Sequence, residues 1–319
     1  MTTVSTTYAP GPLARARRWA GGFRSPETWA AYAFLLPWIF GFLVFTAGPM
    51  VASFFLSLTE YDILNPPRYI GSQNYKDLLD DPKIVIALRN TVIFTALKVP
   101  LDVTVALILA MTLQRIGRAA GFFRTVFYLP KMTPPVAIGI FFLLLFNGTV
   151  GIVNRGLEKI GINGPFWTTD PHWVKPGLVL MSTWAVGGTM VILFAALQAV
   201  PRQLYEAAAI DGASAWRRFR DVTLPMISPA LFFSLIVLTI AGLQSFDEAY
   251  TAFYGTQEGY SSDAALFYVI YLFQQAFQFL HMGYASAMAW LLFLVIMVIT
   301  AIQVKVGNRF VYYEGRKDR

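Results

Sequence analysis

Long apolar runs separated by short charged segments dominate the chain. Five windows contain no Asp, Glu, Lys or Arg: residues 28–59, 132–154, 176–201, 222–246 and 264–304. A sixth run, 90–113, is apolar apart from Lys98 and Asp102. Because a membrane-spanning helix needs about 20 apolar residues, the pattern predicts an all-α polytopic membrane protein with six transmembrane helices. The predicted spans are residues 31–58, 90–113, 125–146, 177–200, 225–246 and 283–304.

Prolines fall inside several of these runs. Pro37, Pro49 and Pro100 lie in the first two, and Pro134 and Pro135 lie in the third. A proline removes one backbone donor from a helix, but neighbouring helices can satisfy the freed groups in a membrane protein. We therefore expect each run to remain one span, with a shorter apolar helix ahead of the sixth.

Composition agrees with a membrane protein. Of 319 residues, 56% are hydrophobic and only 13% are charged, and the mean hydropathy is +0.54. A soluble protein of this size rarely carries so few charges. The absence of cysteine excludes disulfides and cysteine-based metal sites. The formal net charge of +7 is interpreted through its position in a membrane protein, and no nucleic-acid partner is expected.

Lysine and arginine are distributed unevenly along the chain. Sixteen of the 25 lie in the two terminal segments and in the loops after the second and fourth runs, and seven lie in the other loops. Cytoplasmic loops carry the excess of basic residues. We therefore predict that both termini are cytoplasmic. The predicted parts are a basic tail (1–30), a membrane domain (31–304) with a cytoplasmic loop (201–224), and a second tail (305–319).

The sequence lacks the motifs of enzymatic chemistry. A phosphate-binding loop needs Gly-Lys followed by Ser or Thr, and no lysine here precedes either residue. The HExxH and GxSxG motifs are also absent. The chain is therefore not predicted to be an enzyme or to bind a metal or cofactor, and any ATP hydrolysis is expected on another subunit.

Ionisable residues inside the apolar runs leave two interpretations open. Lys98 and Asp102 are four residues apart, so they share a helix face and can pair. Asp247 and Glu248 follow the fifth run. Ionisable groups within spans often mark ion pathways. The alternative to a passive pair is thus an ion-coupled secondary transporter that uses Lys98, Asp102 and Asp247.

One charged stretch, YEAAAIDGASAWRRFRDVTLP at 205–225, interrupts the apolar runs. We predict a helix from 201 to 210, a turn at Asp211–Gly212 and a second helix from 213 to 220. Both helices are shorter than the roughly 12–15 residues at which an isolated helix becomes marginally stable. They need a docking partner, or they lie on the surface of the cytoplasmic leaflet.

This stretch resembles the EAA loop of ABC-importer permeases. The pattern is EAA, three residues, Gly, nine residues, an aliphatic residue, one residue and Leu-Pro. The matching residues are Glu206, Ala207, Ala208, Gly212, Val222, Leu224 and Pro225, and Asp211 also fits. The first apolar run, LLPWIFGFLVFTAGP, and the final RFVYYE segment are similar to those of carbohydrate-type permeases. One departure is YGTQEGYSSD, where such permeases often have a GGP-type turn.

The resemblance implies half of an importer pore in a bacterial inner membrane. The implied partners are a second permease subunit, two copies of an ABC ATPase that uses ATP and Mg, and an extracytoplasmic sugar-binding protein. It also implies that the EAA loop contacts the ATPase. The residues implied in this coupling are Glu206, Ala207, Ala208, Asp211, Gly212, Leu224 and Pro225.

In the carbohydrate-type permeases that this chain resembles, the sugar sites lie among the helices that flank the EAA loop. The candidate solute contacts here are Trp184, Gly187 and Gly188 in WAVGGTM, and Gly242, Gln244, Ser245 and Asp247 in GLQSFDE. An aromatic ring suits the apolar face of a sugar, and the polar groups can hydrogen-bond its hydroxyls. The alternative is that Trp184 and Gly242 serve helix packing.

Overall fold

The computed structural model describes residues 26–254, 263–307 and 309–312. Most of the two predicted tails, residues 1–25 and 313–319, lies outside the described residues, as do positions 255–262 of the YGTQEGYSSD segment. The chain divides into two units, Met1–Leu56 and Ser57–Arg319.

The described residues of the first unit form a single interrupted helix. Helix α1 (Pro26–Phe42) continues through a π-helical turn (Leu43–Ala47) into α2 (Gly48–Ser57). The turn has a local cause, because Pro49 has no N–H to donate and the Gly48 N–H bonds to the carbonyl of Leu43. The stretch Thr28–Ser57 is long and apolar enough to cross a membrane.

The second unit begins with a small antiparallel pair and a short helix. Strand β1 (Thr59–Glu60) pairs with β2 (Arg68–Tyr69), with Thr59 opposite Tyr69. Helix α3 (Gln73–Asp80) precedes the longest helix, α4 (Pro82–Ile116). The carboxylate of Asp81 caps α4 by accepting a hydrogen bond from the Lys83 N–H at 2.8 Å.

Eight helices lead from α4 to the loop at 201–224 and through it. The elements are α5 (Ala120–Tyr128), α6 (Pro135–Leu145), α7 (Ile152–Lys159), α8 (Pro171–Thr183), α9 (Gly187–Ala199), α10 (Arg202–Ile210), α11 (Ala215–Arg218) and α12 (Leu224–Met226). Two 3₁₀ turns flank α5, Gly117–Ala119 and Leu129–Met132, and a π-helical turn (Phe219–Thr223) separates α11 from α12.

The remaining elements form the C-terminal part of the membrane domain. They are α13 (Ser228–Leu243), α14 (Asp247–Phe253), a 3₁₀ turn (Asp263–Ala265), α15 (Tyr268–Phe273), a π-helical turn (Gln274–Gln278) and α16 (Met282–Gly307). The predicted shorter apolar helix ahead of the last span is confirmed as α15.

The prediction of six spans is confirmed only in part. Four helical stretches in the described residues are long and apolar enough to span: Thr28–Ser57, Pro82–Ile116, Ser228–Phe253 and Met282–Gly307. The predicted spans 125–146 and 177–200 are instead bent pairs. Ala120–Met132 meets Pro135–Leu145 at 95°, and Pro171–Thr183 meets Gly187–Ala199 at 52°. By length and composition, the described residues therefore contain four candidate spans, or up to six if each bent pair counts as one.

Consecutive prolines explain the sharper bend. A residue before proline is pushed out of the helical region into extended backbone. Thr133 precedes Pro134, and both residues have a ψ of 134°. Neighbouring helices cannot repair such a turn, because it arises from backbone geometry and not only from a missing hydrogen bond.

Two clusters of buried apolar side chains hold the second unit together. The first joins α4, α6, α8, α14, α15 and α16 and includes Phe94, Phe142, Leu178, Phe253, Phe267 and Tyr268. The second joins α4, α9 and the start of α13 and includes Leu113, Met190, Leu193, Leu197 and Ile227. Helix α4 contributes to both clusters and is therefore the central element of the unit.

A carboxylate ties the start of α4 to the C-terminal elements. Asp81 Oδ2 accepts hydrogen bonds from the hydroxyls of Tyr271 at 2.6 Å and Tyr284 at 2.8 Å. Burial raises the pKa of Asp81, but these hydrogen bonds and the nearby Lys83 outweigh it, so the pKa lies below its ordinary value. The ionised carboxylate is thus the form that stabilises this junction.

Candidate functional site

The loop 201–224 folds as two short helices joined at Gly212. Helix α10 ends in a hydrogen-bonded cap, in which the Gly212 N–H bonds to Ala209 O at 3.1 Å and the Ala213 N–H bonds to Ala208 O at 2.9 Å. This arrangement requires a left-handed residue just after the helix, and Gly212 has a φ of 72°. The predicted first helix and the turn at Asp211–Gly212 are confirmed.

The second predicted helix of the loop is shorter than expected. Helix α11 covers only Ala215–Arg218, and the chain continues as a π-helical turn from Phe219 to Thr223. The Ser214 side chain caps α11 by accepting a hydrogen bond from the Arg217 N–H at 3.3 Å. The Tyr205 and Thr223 hydroxyls lie 2.9 Å apart and join the two halves of the loop.

The loop leaves much of its surface exposed. No residue of α10 is buried, and the side chains of Ile210 and Trp216 are 87% and 70% exposed. Glu206 is exposed, and no described residue bonds to its carboxylate. Exposed apolar side chains beside a free carboxylate are typical of a surface that binds a partner.

A second feature is a cavity of about 250 Å³ at two helix interruptions. Between α8 and α9 the chain makes tight turns in which Trp184 N bonds to Met181 O and Val186 N bonds to Thr183 O, both at 3.2 Å. Between α13 and α14 the interruption covers residues 244–246. Interrupted helices within a membrane protein are tolerated where they line a cavity and are common at solute sites.

A buried ion pair forms one wall of this cavity. Lys98 Nζ donates to Asp102 Oδ2, as their spacing predicted. Asp102 Oδ1 also accepts a hydrogen bond from the Thr183 hydroxyl at 3.0 Å. Both oxygens of the carboxylate therefore have partners, and the pair joins α4 to the end of α8 beside the interruption.

Other polar side chains on the cavity wall are uncommitted. Within the described part of the chain, no hydrogen bond or ion pair engages the side chains of Lys131, Gln244 or Asp247. Ser245 and Glu248 also line the space. Such groups are available to hydrogen-bond a polar solute that enters the cavity, and a few polar groups of this kind fix the orientation of a bound ligand.

The structure brings together four of the seven predicted solute contacts. Gly188, Gln244, Ser245 and Asp247 line the cavity. The other three lie elsewhere: a Cβ on Gly187 would be 2.1 Å from the carbonyl oxygen of Phe127, and a Cβ on Gly242 would be 2.9 Å from Thr95. These two glycines are close helix contacts, and Trp184 is 53% exposed outside the cavity wall.

Several wall residues escaped the prediction, and two of them are hydroxyl residues beside the α8–α9 interruption. Ser182 and Thr189 line the cavity from either side of the α8–α9 interruption. Only the adjacent Gly187–Gly188 pair marked this interruption in the sequence, since glycine weakens a helix. Thr183 was missed as a partner of Asp102, because it lies 81 residues away.

Comparison with known proteins identifies the family. The model of the binding-protein-dependent transport system inner membrane component matches residues 102–312. The chain belongs to this family. The expected resemblance to ABC-importer permeases is therefore confirmed. The loop 201–224 and most of the cavity wall lie within the matched residues, whereas Phe94 and Lys98 of the wall lie before them.

Curated relatives match this permease over most of their length. It is 39% identical over 292 residues to the probable ABC transporter permease YesP of Bacillus subtilis, covering 91% of this chain and 94% of the relative. It is 37% identical over 278 residues to the lactose transport permease LacF of Rhizobium radiobacter, covering 85% and 92%. It is 31% identical over 310 residues to the arabinooligosaccharides transport permease AraP of Bacillus subtilis, covering 96% and 97%.

Solved structures show the same fold for the permease. A chain of a bacterial ABC transporter that imports the acidic polysaccharide alginate superposes with a TM-score of 0.77 at 23% identity. The match covers 92% of this chain and all of that one.

Proposed function

We propose that this permease forms half of the translocation pore of an ATP-driven importer for a sugar or sugar-like solute. The names of its relatives support this substrate class, since they include permeases for lactose and arabinooligosaccharides. The cavity supports it as well, because uncommitted amide, hydroxyl and charged groups suit a hydroxyl-rich solute. Gly188, Gln244, Ser245 and Asp247 are the proposed solute contacts.

The conformation of the loop 201–224 carries the proposal of ATP coupling. Its exposed carboxylate Glu206, its left-handed Gly212 and its apolar side chains are arranged for a partner that the chain itself does not supply. We assign this partner as an ABC ATPase, which would bind ATP and Mg itself. Ala207, Ala208 and Asp211 would lie at the contact, and Leu224 and Pro225 would connect it to α13.

The complete importer would contain a second permease subunit, two ATPase copies and an extracytoplasmic sugar-binding protein. The structure of the alginate ABC transporter in complex with a pentasaccharide-bound periplasmic protein supports such a partner. The excess of basic residues supports an inner-membrane orientation with cytoplasmic N- and C-termini.

Two variants test the coupling. Glu206→Lys would reverse the charge at the ATPase contact, and Gly212→Pro would remove the φ of 72°, because proline fixes φ near −65°. Both should abolish ATP-driven uptake in proteoliposomes while the chain still inserts into the membrane. Asp221→Lys is the control, since Asp221 is exposed and lies in the loop outside α10. Wild-type uptake by Glu206→Lys would contradict the coupling role.

Reconstitution separates this function from the ion-coupled alternative. An importer half should co-purify with an ATPase and a second permease, and it should show no uptake when reconstituted alone. Ion-driven uptake by the isolated chain would overturn the proposal and assign Lys98, Asp102 and Asp247 to ion coupling.

A further inference from the structure

A separate cleft of about 260 Å³ lies between the end of α4 and the loop 201–224. Its walls include Gln114 and Arg115 from α4, Leu197 from α9, and Tyr205 and Arg218 from the loop. The cleft is lined by α4 and α9 as well as by the loop, whereas Glu206 and Gly212 are not among its lining residues. It is therefore distinct from both the solute cavity and the exposed surface of the loop.

Two guanidinium groups line this cleft without a carboxylate partner. Within the described residues, neither Arg115 nor Arg218 lies within 4.0 Å of an acidic oxygen, and no carboxylate lines the cleft. Their neighbours differ, because Arg217 and Arg220 lie 4.0 and 3.9 Å from Asp221. Both arginines line the same cleft, so an anion bound there would face two positive charges.

The position of the cleft favours a phosphate group. Arg115 lies in the last turn of α4, whose 35 residues extend about 52 Å and so exceed the roughly 30 Å hydrocarbon core of a bilayer. The end of α4 therefore reaches the headgroup region. Basic pockets between spans bind acidic lipid headgroups, and arginine holds phosphate through two parallel hydrogen bonds.

The apolar part of the cleft wall also favours a phospholipid. Met111, Leu197 and Phe219 lie beside the two arginines. A cleft lined by both arginines and apolar side chains matches a lipid, which carries a phosphate next to a hydrocarbon region. It also offers hydroxyls, since the Tyr205–Thr223 pair borders the space.

We propose that this cleft binds a phosphate group between Arg115 and Arg218, supplied by an anionic phospholipid or by free phosphate. Because Arg115 belongs to a span and Arg218 to the loop, the bound phosphate bridges the two and holds the loop against the end of α4. Occupancy of the cleft thereby stabilises the loop in the conformation described here.

Thermal unfolding of the importer complex in detergent tests the site. The probes are phosphatidylglycerol, phosphatidylcholine at equal concentration, and inorganic phosphate. Phosphatidylglycerol should raise the melting temperature of the wild-type complex and phosphatidylcholine should not. Arg115→Gln and Arg218→Gln should each weaken the apparent affinity for the anionic probe about tenfold or more, as expected for loss of a charge-assisted contact.

Matched controls come from the same loop. Arg217→Gln and Arg220→Gln remove the same charge outside the cleft and should respond like the wild type. Arg115→Lys and Arg218→Lys retain the charge, so they should bind with intermediate affinity and show that the fold is intact. A response to phosphatidylglycerol alone identifies a lipid headgroup, and an equal response to inorganic phosphate identifies the soluble anion as sufficient.

Three results would overturn the proposal. The first is a wild-type complex that responds to neither phosphate-bearing probe. The second is a full response retained by both glutamine variants. The third is loss of ATPase co-purification in Arg115→Gln while its response to phosphatidylglycerol equals that of the wild type, which would assign this arginine to a protein contact.

Discussion

Removal of the Asp102 carboxylate is the sharpest test of how the cavity wall is held. The Asp102 side chain is 3% exposed and that of Lys98 is 17% exposed. Asp102 accepts hydrogen bonds from Lys98 and Thr183. The variant Asp102→Asn keeps the shape of the side chain but leaves the buried ammonium without a counter-charge.

The expected cost follows from this burial. Breaking a buried ion pair by removing one partner destabilises a protein by about 3–5 kcal/mol, whereas replacing both partners with apolar residues is often neutral. Asp102→Asn should therefore lose about 3–5 kcal/mol. The double variant Lys98→Met/Asp102→Leu should recover most of this loss, although it still lacks the bond to Thr183.

The assay is reversible unfolding of the detergent-solubilised complex, followed by circular dichroism and paired with ATP-driven uptake. Asp77→Asn is the control. This carboxylate is exposed and, among the described residues, accepts a side-chain hydrogen bond only from Gln73 four residues earlier, so its loss should stay within about 0.5 kcal/mol. A double variant as unstable as Asp102→Asn would refute the pairing argument. A stable double variant that no longer transports would show that transport requires the charges of Lys98 and Asp102.

Three further predictions concern the helix contacts, the cavity and the α4 cap. Gly187→Ala should destabilise the chain by about 1–3 kcal/mol through overpacking. Gly188→Ala should be tolerated, because its Cβ would meet only a lysine methylene at 3.9 Å. Equal unfolding curves for the two variants would contradict the close contact at Gly187. Gln244→Ala should raise the KM of uptake more than Trp184→Ala, because only Gln244 lies on the cavity wall; equal KM values would contradict the placement. Asp81→Asn should lose about 1–2 kcal/mol at pH 7. Folding lowers the pKa of Asp81 from its ordinary value of 3.8. The ionised carboxylate therefore stabilises the fold above pH 3.8, and this stabilisation is lost as the pH falls through the lower pKa of the folded state. The difference in free energy of unfolding between Asp81→Asn and the wild type should shrink in that acidic range.

Composition and periodicity predicted where apolar helices occur but not where they bend. A run such as 125–146 is apolar on both sides of Thr133, so hydropathy alone cannot reveal the 95° change of direction. The double proline could have revealed it, because each proline restricts the residue before it. The interruption at 184–186 had a weaker signal, since glycines reduce helix propensity without setting a direction.

Local rules predicted the turn of the loop fully but the cavity wall only in part, for one physical reason. The turn at Gly212 depends on hydrogen bonds within five residues, so the sequence contains all the information that it requires. The cavity depends on contacts between distant segments, such as Asp102 with Thr183. Which glycines line a space and which fill a helix contact is likewise decided by packing, as the different surroundings of Gly187 and Gly188 illustrate.

The contact at Gly187 has a mechanical consequence. Helix α9 has 13 residues and is about 20 Å long, and the loop follows directly from its far end. At its near end, the absence of a side chain on Gly187 lets the backbone touch the Phe127 carbonyl, four residues before Lys131. Backbone in direct contact has no rotamers that could absorb a displacement. A displacement of the loop would therefore be transmitted along α9 to the edge of the cavity, because no flexible side chain lies at this contact to absorb it.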